Sequence, residues 1–87
     1  MKQVRVLLMA MSKETGEVFE SMCSVEGETE IDISEAIDDE MENWWPCDDF
    51  IWATFVIDQS FSLEMAYANF AKYADAWLEK NIKRGAA

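Results

Sequence analysis

Apolar residues recur along this chain with two different periods. The stretch VRVLLMAMSK, from Val4, is rich in β-branched and large apolar side chains and reads as a strand. One of its faces holds Val4, Val6, Leu8 and Ala10; the other holds Arg5, Leu7, Met9 and Met11. Both are mostly apolar, which predicts a central strand. KETGE follows as a turn, with Gly16 free to adopt positive φ. VFESMCSVE alternates, with Phe19, Cys23 and Val25 on one side and Glu20, Ser24 and Glu26 on the other. These two strands form a hairpin, and Gly27 marks the bend that ends it.

The period then lengthens. Asp32 followed by Glu35 has capping-box spacing and opens a helix. Its apolar stripe is Ile33, Ile37, Met41, Trp44 and Trp45, with Glu35, Asp38, Asp39 and Glu42 on the opposite side. Pro46 disfavours a helical conformation at Trp45 and stops the helix there. FIWATFVI, Phe50 to Ile57, is another strand apolar on both faces, and Asp58 to Ser60 turns the chain. Ser60 or Ser62 caps a last helix that packs Leu63, Ala66, Phe70, Ala74 and Trp77 on one face, together with Tyr67 and Leu78. Lys72, Glu79 and Lys83 lie outside. Lys80, Lys83 and Arg84 suit its last turn, and Gly85 suits the C′ position.

The order ββαβα predicts a single α+β domain over residues 1–87: a three-stranded antiparallel sheet of order 2-1-3 with two helices on one face. That arrangement leaves Leu7, Met9 and part of Phe50 to Ile57 uncovered on the other face. An open apolar face marks an interface, so a homodimer through the sheet, or a partner docked there, is expected.

Composition adds a strong constraint. The 87 residues hold 18 acids and 7 bases, a formal charge of −11, yet 51% are hydrophobic and 13% aromatic. Disordered acidic chains are poor in aromatics, so this acidity belongs to a folded domain. No cation occurs between Lys13 and Lys72, and 16 of the 18 acids fall in that interval. Direct nucleic-acid binding is not expected, because phosphates need cations. The apolar run from Val4 to Met11 is interrupted by Arg5 and too short to span a bilayer. It also lacks the small-residue cleavage site of a secretory signal. A cytoplasmic protein with no membrane partner is the expectation, with Cys23 and Cys47 as reduced, buried thiols.

Candidate chemistry is sparse. There is no histidine, hence neither the commonest general base nor the commonest zinc ligand. Neither cysteine has an evident activator. Phosphate loop, GxSxG elbow and calcium loop are all missing. Asp38, Asp39 and Glu40 are adjacent and point apart on a helix, which does not suit a facing acid/base pair. The expectation is a non-enzyme with no cofactor and no resident metal.

The acidic stripe is of one sign, whereas ordinary helix faces mix Glu with Lys. Glu35 with Asp39, and Asp38 with Glu42, are like-charge pairs four apart that oppose helix formation. Side chains so spaced lie about 5–6 Å apart at Cβ, of the order of phosphate spacing along a nucleic-acid strand. A firm surface of such carboxylates fits a cleft built for a phosphate backbone. Trp44 and Trp45 are about 100° apart on a helix and cannot both face inward fully. Trp44 lies nearer the centre of the apolar stripe and Trp45 at its edge, where an aromatic anchors an interface. Trp52 and Trp77 are core by position. The expected partner-binding set is Glu35, Asp38, Asp39, Glu42, Trp45, Asp48 and Asp49.

Small size and the cation-free stretch from Glu14 to Ala71 resemble the acidic inhibitors that phages make against host defence, the anti-CRISPR and anti-restriction DNA mimics. The resemblance implies a protein that binds and blocks a basic, nucleic-acid-binding protein. Those inhibitors are diverse in fold, so it implies nothing about architecture. The rival reading is a structural or assembly module acting through the open apolar sheet face, with the acids serving solubility.

Overall fold

Two apolar faces on one strand need cover on both sides, and that requirement sets the architecture. The computed structural model describes residues 1–83. β1 (Lys2–Ser12) and β2 (Val18–Gly27) form a hairpin, followed by α1 (Glu30–Trp44), β3 (Phe50–Val56), α2 (Leu63–Leu78) and a π-helical turn (Glu79–Lys83). The sheet is antiparallel, of order β2-β1-β3, as the ββαβα pattern predicts.

The helices, however, lie on opposite faces of the sheet, which corrects the expectation that they share one. Val6, Leu8 and Ala10 pack with Val25, Ile33, Met41 and Trp45 beneath α1. Leu7, Met9 and Met11 pack with Ile51, Ala66, Phe70 and Ala74 beneath α2. Residues Val6 to Met11 are therefore all buried. Two helices in one layer would have left three large β1 side chains in water, at about 1.5–3 kcal/mol each. The face on which sheet dimerisation was expected is occupied by α2.

Cover is offset as well as two-sided. On the α2 face, Val18 and Met22 of β2 stay half-exposed; on the α1 face, Val56 of β3 does. Each edge strand thus keeps one face partly bare.

Local chemistry explains the boundaries. Gly16 has φ 77°, the left-handed value its turn needs. A Cβ on Gly27 would stand 2.8 Å from the Asp32 Cβ and 3.0 Å from the Ile33 amide nitrogen, so the β2–α1 join requires glycine. α1 starts earlier than Asp32. Thr29 is its N-cap: the Thr29 hydroxyl accepts from the Asp32 N–H, and the Asp32 carboxylate accepts from the Thr29 N–H, each at 3.2 Å. Asp32 is thus the third helical residue of the box, not its cap, because a threonine three places upstream can close it reciprocally. Ser62 caps α2 by accepting from the Met65 N–H. The expected roles of Arg84 and Gly85 lie outside the described residues. Trp52 and Trp77 are only partly buried, at the margins of the two cores. Among the described residues no helix is long and apolar enough to cross a membrane.

Candidate functional site

The acidic face of α1 is built from the inside out. Ile33 and Met41 bury against the sheet and hold the helix, with Ala36 and Ile37 packed beside them. Their placement turns Glu35, Asp38, Asp39 and Glu42 outward, and all four are exposed. Among the described residues no ion pair neutralises any of them. The cations Lys72 and Lys80 follow the chain into α2 and the π-helical turn, on the other side of the sheet. The repulsion within the stripe is offset by the capping box and by burial of the inner face.

The stripe continues past the helix. Glu42 Oε2 accepts from the Cys47 N–H at 3.1 Å, which ties the helical carboxylates to the turn that carries Asp48 and Asp49. That turn is closed by the Asp49 and Phe50 N–H groups, both donating to the Pro46 carbonyl. Asp48 and Asp49 are exposed. Lys13 borders this end: its N–H donates to the Asp49 carbonyl at 2.9 Å and its Nζ to the Cys47 carbonyl at 3.1 Å. It fastens the turn to β1 through carbonyls and lowers the negative potential there, while Lys2 lines a groove with Glu30, Ser34 and Ile37 toward the start of α1.

The tryptophans exchange the roles predicted for them. Trp45 is 9% exposed and belongs to the α1-side core; Trp44 is 59% exposed. Trp45 is the helix C-cap, with φ −140° and ψ 89°, so helical angular spacing does not apply to it. Its side chain turns back under the helix, and its carbonyl accepts from the Trp52 indole at 2.7 Å. Trp45 is therefore a core residue and drops out of the binding surface. Trp44, displaced from the core, lies against Trp45 with ring centroids 6.4 Å apart and donates its indole N–H to Glu40 Oε1 at 2.9 Å. The exposed indole is thus that of Trp44, beside Glu40 and off the stripe of Glu35, Asp38, Asp39 and Glu42, not that of Trp45. Pro46 was the available signal, since it takes the preceding residue out of helical geometry.

Cys47 is exposed rather than buried, because Pro46 carries it out into the turn. Hydrogen bonding to the Glu42 carboxylate, then burial, then the negative charges of Glu42 and Asp48 push its thiol pKa above the ordinary value. Cys23, half-buried under α1, is pushed up first by burial and then by Glu40. Both thiols are thus less nucleophilic at neutral pH than a free cysteine. No three acidic or thiol side chains among the described residues converge to hold a metal ion. The outward face of α1 thus presents fixed negative charge, with the exposed Trp44 indole off that stripe beside Glu40. Comparison with known proteins finds no matching family model, no similar curated protein and no similar solved structure, so the reading rests on this geometry.

Proposed function

We propose that this chain is a non-enzymatic binding protein that blocks or modulates a basic, nucleic-acid-binding partner, in the manner of phage inhibitors of host defence. Glu35, Asp38, Asp39 and Glu42 stand where that partner receives phosphates. The observation that carries the reading is that four carboxylates with no ion-pair partner among the described residues share one exposed stripe of a helix anchored by buried Ile33 and Met41. Electrostatic attraction of this kind speeds association and weakens with salt. The rival assembly reading drew its support from an open apolar sheet face, and α2 covers that face.

Capture from nuclease-treated lysate tests the proposal. The immobilised protein is expected to retain a basic protein at about 50 mM salt and release it on addition of a DNA or RNA duplex. The variant E35Q/D38N/D39N/E42Q, of nearly unchanged shape, is expected to retain far less. Equal retention by both, or indifference to added duplex, refutes the reading.

A further inference from the structure

Among the described residues none pairs with the outer edge of β2, and its hydrogen-bonding groups can be assigned. The Ser12 N–H donates to the Glu17 carbonyl at 2.9 Å, which makes Ser12 and Glu17 a hydrogen-bonded pair. Alternation along the unbroken register from Met11–Val18 to Lys2–Gly27 then turns the N–H and C=O of Phe19, Ser21, Cys23 and Val25 toward β1. Those of Val18, Glu20, Met22, Ser24 and Glu26 point away from the sheet. β3 obeys the complementary parity, since the Ile57 N–H donates to the Arg5 carbonyl and the Lys13 N–H to that of Asp49. Natural edges are commonly blunted by lysine, proline, a bulge or short length. β2 has ten residues with no lysine, proline or bulge, and its charges, Glu20 and Glu26, guard it against acidic edges such as its own rather than against basic ones.

Beside this edge, on the α2 face, runs a groove of about 520 Å3. Its floor is apolar, with Met9, Met11, Phe70 and Ala74, and Val18 and Leu78 also line it. Tyr67 spans it, donating its hydroxyl to Glu20 Oε1 at 2.9 Å. Val18 and Met22 remain 50% and 54% exposed on the groove side of the strand. Charge selects the occupant. From Glu14 to Glu30 the chain carries Glu14, Glu17, Glu20, Glu26, Glu28 and Glu30 and no lysine or arginine. A second copy pairing edge to edge would bring two such sets together, which like-charge repulsion opposes.

We propose that the β2 edge and its groove form a docking site for an extended, basic segment of another protein. The segment adds as a fourth strand. Its main chain pairs with the five outward residues, whose side chains all lie on the α2 face of β2; on that same face of the added strand, apolar side chains stand beside Val18 and Met22, at the groove, and lysines or arginines meet Glu20 and Glu26. This is strand addition, in which main-chain bonds hold the segment and alternate side chains select it. It involves neither the α1 stripe nor Trp44, so it stands independently of the function proposed above.

The probe is a fluorescein-labelled, end-capped peptide whose every second residue, taken in the order of Val18 to Glu26, is valine, lysine, valine, serine and lysine, with threonine between them, studied by anisotropy and by amide hydrogen exchange. On binding, the amides of Val18, Glu20, Met22, Ser24 and Glu26 become protected, while those of Phe19, Ser21, Cys23 and Val25 are slow already. The same peptide N-methylated at alternate residues keeps its charge but loses one hydrogen-bonding edge, and binds about tenfold or more weakly. The same peptide with glutamate in place of lysine does not bind. In E35Q/D38N/D39N/E42Q the alternate-residue protection persists, which separates this site from the α1 stripe. Equal binding of the N-methylated peptide, or binding without protection of those five amides, overturns the proposal. So does concentration-dependent protection of the same amides without peptide, which would assign the edge to a second copy.

Discussion

Replacing either of two adjacent tryptophans by alanine tests the junction between core and surface, with opposite outcomes for neighbours. Trp45 is 9% exposed, so its removal empties most of an indole from the α1-side core. Loss of a buried aromatic costs about 3–5 kcal/mol. Trp44 is 59% exposed and hides about two-fifths of its surface. An aromatic buries about 150–250 Å2 in full, so at about 25 cal/mol/Å2 the hidden part contributes at most about 2.5 kcal/mol. Alanine in the last turn returns about 0.5 kcal/mol of helix propensity, leaving a cost of about 2 kcal/mol or less. The expected gap between the variants is about 2 kcal/mol, or 1–2 M in urea midpoint at a slope of about 1–2 kcal/mol/M. Far-UV circular dichroism in a urea titration reads it free of the changed fluorescence. If Trp45→Ala leaves no folded baseline, Trp45→Phe should still be destabilised more than Trp44→Phe. Equal midpoints, or Trp44 the costlier, would falsify the cap geometry and return Trp45 to the binding surface.

Other outcomes follow from the same geometry. Gly27→Ala forces a Cβ to within 2.8 Å of the Asp32 Cβ and should cost about 1–3 kcal/mol, and Gly16→Ala meets open space and should cost about 1–2 kcal/mol through its φ of 77° alone; an unchanged Gly27→Ala midpoint would count against the tight β2–α1 join. Thr29→Ala should lose about 1 kcal/mol, and an unchanged melting curve would mean that the capping box does not hold α1. Because Glu42 raises the Cys47 pKa, the thiolate fraction at pH 8 is below that of a free cysteine, so alkylation should be slow there and climb only at higher pH. Glu42→Gln should shift that profile to lower pH; an unmoved profile contradicts the contact. With a net charge of −11, thermal stability should rise between about 10 and about 100 mM salt as the screening length falls from about 30 to about 10 Å. A fall would mean that attractive pairs dominate.

Elements and sheet order were legible because each depends on local pattern. Val6 to Met11 announced a central strand by being apolar at both parities, and Pro46 announced the end of α1. Helix placement was not legible from connectivity, although the second apolar parity of β1 already called for cover. A helix on each face satisfies that demand within one chain; an open face would have needed a partner. The acidic stripe was readable because helical period sorts Glu35, Asp38, Asp39 and Glu42 away from Ile33 and Met41 wherever the sheet lies. Trp45 was misread for the opposite reason. A cap residue leaves the helical period, and its direction is decided by tertiary packing, here by Trp52 and the space under α1. The capping box was misplaced by three residues because Asp32–Glu35 and Thr29–Asp32 share a spacing, and only the fold shows which pair closes. The free β2 edge needed both sheet order and the position of α2.

In the proposed function the α1 carboxylates take the place of phosphates. Its most direct measurement is the dissociation constant of the captured basic partner for the wild-type protein and for E35Q/D38N/D39N/E42Q, at about 50 and about 200 mM salt. At about 0.2–1 kcal/mol for each exposed charge pair, losing four charges should weaken binding by about 1–4 kcal/mol, or roughly 5- to 1000-fold, and flatten the salt dependence. Equal affinities with the same salt dependence would contradict the account.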